Sequence, residues 1–190
     1  MKLIMALGLL CTAFFSLPAF AQQAEIPKSL ADSVGSTLRF SEGEFLSLAE
    51  AMPEAKYSFI PTGGSFKDAR SFGEQVKHVA CAQFAFFNQI EGKKPPEACE
   101  KGGLSKAQTK AELVRYLRDS FDYGNRVLAT VNDHNALKRV DGPYAGPNTQ
   151  LGMAVTAVWH LSDHYGQRVE YLRMNGIVPP ATQQYPLAVR

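Results

Sequence analysis

The sequence has few cysteines, a single tryptophan and no marked excess of charge of either sign. Only three of its 190 residues are cysteine, and 20 basic against 18 acidic residues give a formal net charge of +2. No helix face or tail concentrates the basic residues, which argues against a nucleic-acid-binding protein. Long stretches of period-two alternation, internal repeats and low-complexity tracts are also missing, so the chain does not read as a sheet, repeat or disordered protein.

Familiar catalytic signatures are absent as well. We find no Ser-His-Asp motif, no glycine loop that would cradle a phosphate and no nucleotide-binding fingerprint. The segment from His160 to His164 lacks the glutamate that follows the first histidine of a zinc metalloprotease, so no protease base is supplied. What is present is a chain that is 45% apolar, enough for one domain with a proper core.

The first 21 residues have the features of a cleavable secretory signal. Lys2 supplies a short positive region, residues 3–15 are almost entirely apolar, and an A-x-A cleavage site ends at Ala21. We therefore predict cleavage between Ala21 and Gln22, a periplasmic or secreted location, and a single domain over residues 22–190. A serine and a proline interrupt the end of the apolar run, so stable membrane insertion is not expected.

Two cysteines remain after this cleavage, Cys81 and Cys99. An even number in an oxidising compartment favours one disulfide, which would tie a helix to the loop that follows it. Two alternatives stay open for Cys81. It can be a small apolar residue in a helix interface, or, three positions after His78, it can lie near a metal.

Apolar residues recur at helical spacing in four segments. Their expected bounds are about residues 32–52, 71–90, 109–133 and 149–175. The third begins with a capping-box pattern, and the fourth ends before a glycine and two prolines. Long loops rich in glycine and proline separate these segments, so the economical architecture is an all-α four-helix bundle.

The fourth helix carries a stripe whose ends are apolar and whose middle is polar. Its members at heptad-like spacing are Met153, Ala157, His160, His164, Gln167, Tyr171 and Met174. Burying two imidazoles on one helix face costs free energy unless each finds a partner, and a metal ion accounts for both together. His78, midway along the second helix beside small residues, supplies a third imidazole. Three neutral imidazoles leave a coordination position open, as catalytic metal sites do.

Each of these residues also has an ordinary structural explanation. A histidine pair at this spacing occurs by chance on solvated helix faces, and His78 taken alone is more often a core or rim histidine. Gln167 either orients bound water or a ligand, as a neighbour of the metal ligands, or is an interface amide. His134 is sufficiently explained as a charge partner for a helix C-terminus. Arg168 and Glu170 are expected on the solvent-facing side of the fourth helix.

Several segments resemble the DinB/YfiT-like metal-binding family. SFGEQVKH at 71–78 resembles the start of that family's second helix. HLSDHYGQ at 160–167, YLR at 171–173 and GIVPP at 176–180 resemble its last helix and the exit from it. The similarity extends over about residues 32–182.

The resemblance implies a bundle in up-down-down-up order with a divalent ion on His78, His160 and His164. Zinc is the first expectation, with nickel, iron or copper as alternatives, since all accept imidazole ligands. Some relatives are thiol-dependent transferases or isomerases, some are reported as hydrolases, and many have no known activity. The family often has an arginine directly after its last ligand, and Tyr165 departs from that pattern.

We therefore expect an exported protein with a three-histidine metal site that acts as a hydrolase or a thiol-dependent transferase on a small molecule. Export disfavours a cytosolic thiol as cosubstrate, which places hydrolysis slightly ahead. The alternative is a non-enzymatic protein that binds a metal or a small ligand, because the sequence supplies no general base beyond the metal-bound species. A homodimer formed through bundle faces is a further expectation.

Overall fold

The computed structural model describes residues 26–94, 108–141 and 148–184. Within these ranges lie four long helices, α1 (Leu30–Ala51), α2 (Phe72–Ile90), α3 (Lys110–Leu128) and α4 (Gln150–Met174), and a short helix, α5 (Pro180–Gln184). A 3₁₀ turn spans Glu54–Lys56, and two-residue strands β1 (Arg139–Val140) and β2 (Asn148–Thr149) pair antiparallel. The predicted signal and Cys99 lie outside the described residues, so the cleavage and the disulfide stay predictions.

A capping box determines where α2 begins, and with it the position of the residues further along. Ser71 Oγ accepts a hydrogen bond from the Glu74 N–H at 3.3 Å, and the Glu74 carboxylate accepts from the Ser71 N–H at 2.7 Å. Such a box satisfies two N–H groups that have no partner inside the helix. Gln75 and His78 therefore lie about one and two turns into α2. The capping box predicted at Thr109 is present in the same form.

Residue pairs that meet near both ends of each interface establish the helix directions. α1 and α3 run antiparallel, α2 and α3 run parallel, and α2 and α4 run antiparallel. Between α1 and α3, Glu42 meets Asn125 and Glu50 meets Arg118. Between α2 and α3, Gly73 meets Leu113 and Asn88 meets Tyr123. Between α2 and α4, Gln75 meets His164 and Ile90 meets Gln150. If α1 is called up, α2 and α3 run down and α4 runs up. The all-α bundle in up-down-down-up order is confirmed.

The apolar side of α2 packs closely against α3. A Cβ atom added to Gly124 of α3 would lie 2.5 Å from Cε2 of Phe87, so only glycine admits the Phe87 ring at that distance. Phe87 and Phe121 are fully buried, and Phe121 meets the Phe45 ring of α1 at 6.2 Å between centroids. With this side of α2 held against α3, another side of the helix faces α4.

The third helix ends earlier than its apolar spacing predicted. It stops at Leu128, about one turn before residue 133, because asparagine side chains downstream bond the backbone in a turn. Asn132 N–H donates to Asn135 Oδ1, and His134 N–H donates to Asn132 Oδ1. His134 consequently lies exposed in this turn and not at the helix terminus, so the dipole explanation for it was wrong. Of the helices described, none is both long and apolar enough to cross a membrane.

Candidate metal centre

Three histidines meet between α2 and α4. One ring nitrogen from each of His78, His160 and His164 lies within 4.8 Å of the others, and Nε2 of His160 is 3.3 Å from Nε2 of His78. His160 and His164 are 5% and 7% exposed, and His78 is half-buried. The structure thus brings together the three residues that the sequence singled out, and their ligation of a metal stays a prediction.

Burial keeps the three imidazoles neutral. Desolvation is the largest cause in each case, and it lowers the pKa of His78 and of His160 to about 4 and that of His164 to about 3. The positive charge of Arg168 lowers all three pKa values further. At neutral pH each ring therefore has a free lone pair, which is the form of histidine that binds metal.

The donor set fits a divalent ion. Two nitrogens that are each about 2.0–2.1 Å from one tetrahedral zinc ion lie roughly 3.3–3.4 Å apart, and the Nε2 atoms of His78 and His160 are 3.3 Å apart. The widest nitrogen–nitrogen separation, up to 4.8 Å, would have to shorten by about 1.5 Å to reach that geometry. No carboxylate or thiolate joins the cluster among the residues that the structure describes. An all-imidazole triad leaves at least one position for an exogenous ligand.

Among the residues that the structure describes, Gln75 is the polar side chain outside the triad that hydrogen-bonds to it. His164 Nδ1 lies 2.9 Å from Gln75 Oε1, and Gln75 Nε2 donates to Gln167 Oε1 at 2.9 Å. Gln167 Nε2 in turn donates to Asp163 Oδ2 at 3.2 Å. Gln167, expected beside the ligands, therefore reaches His164 only through Gln75. Sequence reasoning missed Gln75, although its place three residues before His78 on α2 was an available signal.

Arg168 is buried, and its predicted position on the solvent-facing side was wrong. The side chain has no exposed surface, its guanidinium carbon lies 4.7 Å from the centre of the Phe45 ring, and Nη2 donates to the carbonyl oxygen of Gln75. Nε and Nη1 have no acceptor among the described residues. Burial lowers the pKa of Arg168 to about 9, so it remains protonated at neutral pH. Arg168 follows His164 by four residues, which places both on the same buried face of α4.

The comparison with protein families shows the family to which the chain belongs. A model described as the DinB superfamily matches residues 37–167, which is more than half of the chain. The chain belongs to the DinB superfamily. Among curated proteins none matches the chain. The matched segment contains all four of the long helices in whole or in large part, together with the three histidines of the cluster.

Three solved structures share the bundle, and two of them are of DinB-like proteins. A DinB-like protein from Bacillus subtilis is 19% identical with a TM-score of 0.60, and the match covers 76% of this chain and 92% of that one. A conserved protein from Enterococcus faecalis is 17% identical, with a TM-score of 0.62 and coverage of 77% and 96%. A DinB-like protein from Bacillus cereus is 12% identical, with a TM-score of 0.66 and coverage of 82% and 98%. At these identities the likeness shows the fold alone.

Proposed function

We propose that this member of the DinB superfamily is an exported, metal-dependent enzyme that acts on a small molecule. The observation that carries the proposal is the convergence of three neutral, largely buried imidazoles from two antiparallel helices. A structural zinc site usually closes all four coordination positions with protein ligands, whereas this cluster offers three. The proposed ion is zinc, with nickel, iron or copper as alternatives.

Each residue around the cluster has a defined task in this proposal. His78, His160 and His164 would hold the ion, which when bound supplies Lewis acidity for hydrolysis or for thiol transfer. Gln75 orients the His164 ring through the hydrogen bond at Nδ1. The Phe86 ring lies at a steep angle to that of His160, with 5.3 Å between the ring centroids, and helps to keep water from that side of the cluster. Export, proposed from residues 1–21, places hydrolysis ahead of transfer from a cytosolic thiol.

A second candidate is a non-enzymatic protein that binds a metal or a small ligand. It is favoured by the hydrogen bonds of the triad, which join the imidazoles to one another and to the amide of Gln75. Within the described ranges no carboxylate joins the cluster, so the cluster itself contains no general base apart from the species bound to the ion.

Metal content and turnover separate these functions. Protein purified without a histidine tag is first analysed for bound metals, then loaded with zinc or nickel and assayed on ester, amide and thiol-conjugation substrates. The enzyme proposal expects turnover that His164→Ala abolishes while the fold is retained. His134→Ala, which removes an exposed histidine outside the cluster, is the matched control and retains full turnover. Stoichiometric metal with no turnover on any substrate class would favour the binding protein.

Two accompanying proposals concern the location and the assembly of the protein. Cell fractionation tests export, and recovery of the uncleaved chain in the cytoplasm would contradict it. Size-exclusion chromatography with light scattering tests the proposed homodimer, and a monomer at micromolar concentration would contradict it.

A further inference from the structure

The hydrogen bonds that lead to His164 have a single consistent direction. A carboxylate such as that of Asp163 offers only acceptor atoms, so the Gln167 atom that faces it is the donor Nε2. Gln167 Oε1 then faces Gln75 and must receive a hydrogen, which Gln75 Nε2 donates. This leaves Gln75 Oε1, an acceptor, against the ring of His164. The hydrogen in that contact therefore belongs to His164 Nδ1.

We propose that Gln75 is a positioning residue for the metal centre, holding His164 as the Nδ1–H tautomer so that its Nε2 lone pair is free for the ion. The importance of Gln75 for the metal rests on the proposed function. The tautomer itself is a property of the metal-free protein. A neutral imidazole carries its hydrogen on one nitrogen only, so the hydrogen bond at Nδ1 selects which nitrogen can be a ligand.

Gln75 is built into the bundle in a way that suits this role. Its side chain is 5% exposed, and both ends of its amide are hydrogen-bonded, Oε1 to His164 and Nε2 to Gln167. Its carbonyl oxygen also accepts from Nη2 of the buried Arg168. Three contacts to α4 from one residue of α2 restrict both its position and its rotation. A neighbour that orients a metal ligand typically changes metal affinity about 10- to 100-fold when it is removed.

Gln83 supplies a matched control on the same helix. Like Gln75 it is a buried glutamine of α2, and its side chain has no exposed surface. Neither Nε2 nor Oε1 of Gln83 has a partner in the part of the chain that the structure describes. A role that came merely from filling the bundle core would be shared by the two glutamines. A role in orienting His164 would belong to Gln75 alone.

The tautomer is measured directly in metal-free, ¹⁵N-labelled protein by long-range ¹H–¹⁵N correlation spectroscopy at neutral pH. We expect a protonated Nδ1 and a bare Nε2 for His164 in the wild type. Gln75→Leu should lose this preference, and Gln75→Glu, which keeps an acceptor at the same place, should retain it. Gln167→Leu, a change at an exposed position, should weaken it, and Gln83→Leu should leave it unchanged. A wild-type His164 protonated at Nε2 would overturn the proposal.

Zinc affinity, measured by competition with a chromophoric chelator, is the second readout. Gln75→Leu should bind zinc about 10- to 100-fold more weakly than the wild type, whereas Gln83→Leu should stay close to it. Gln75→Glu, which keeps the acceptor and adds a negative charge beside the ligand, should bind zinc at least as tightly as the wild type. Equal affinities for Gln75→Leu and Gln83→Leu would refute the positioning role. Should Gln75→Leu fail to fold, Gln167→Leu tests the same chain of hydrogen bonds from its outer end. A wild type that binds none of zinc, nickel, iron and copper but shows the expected tautomer would refute the proposed function and leave the hydrogen-bond assignment standing.

Discussion

Acidification should destabilise the metal-free protein through its histidine cluster. The pKa values of His78, His160 and His164 in the folded protein are about 4, about 4 and about 3, each lowered chiefly by burial. In the unfolded chain a histidine titrates near pH 6.5. Unfolding therefore takes up protons between these values. The contribution of the three histidines to the free energy of unfolding is fully present above about pH 6.5 and is lost as the pH falls towards about 4.

The size of the loss follows from the same pKa values. At about pH 5.5 an unfolded histidine is roughly 90% protonated, whereas a folded one with a pKa near 4 is almost entirely neutral. Between about pH 7 and about pH 5.5 each such imidazole lowers the free energy of unfolding by about 1 kcal/mol. For the whole cluster we expect about 2–4 kcal/mol, with the smallest share from the half-buried His78. That is a large fraction of the stability of a typical domain.

Urea denaturation in the presence of a metal chelator, at several pH values across this range, measures the effect. His164→Leu removes one of the titrating groups, so its stability should fall less between about pH 7 and about pH 5.5, by about 1 kcal/mol. His134→Gln, an exposed change outside the cluster, should keep the wild-type pH dependence. If His164→Leu and the wild type lost the same free energy over this interval, the imidazoles would not be buried as neutral groups and the reasoning would be refuted.

Four further changes test packing, helix propensity, charge and capping. Gly124→Ala should lower the free energy of unfolding by about 1–2 kcal/mol in urea denaturation, since its Cβ would lie 2.5 Å from Phe87. Gly166→Ala, where an added Cβ meets no atom within 4 Å, should raise it by about 0.5–1 kcal/mol, and a loss of stability there would contradict the helix-propensity argument. Arg168→Met should tighten zinc binding several-fold in chelator competition, because it removes a buried positive charge near the cluster, and weaker binding would count against that electrostatic effect. Ser71→Ala should cost about 1 kcal/mol through loss of the α2 cap, and an unchanged urea midpoint would show the cap to be dispensable.

Helix positions were largely predictable because their signals are local. The capping box at Thr109, the apolar spacing and the glycine at 176 each act within a few residues of where they stand in the sequence. The end of α3 was placed too late because the side chains of Asn132 and Asn135 compete with the helix for backbone hydrogen bonds. The spacing of apolar residues carries no information about that competition. The two-residue strands are too short to leave an alternating pattern.

The spacing of residues along the chain accounts for one part of the candidate site, and the packing of the helices accounts for the rest. The spacing of His160 and His164 guaranteed one helix face, since four residues make about one turn. The contact of His164 with Gln75 joins residues 89 positions apart, and that of Arg168 with the Gln75 carbonyl joins residues 93 positions apart. Both depend on how α2 and α4 are rotated against each other. Periodicity identifies the inward face of a helix. The packing of the helices then determines which groups meet on that face and whether an arginine has enough contacts to be buried.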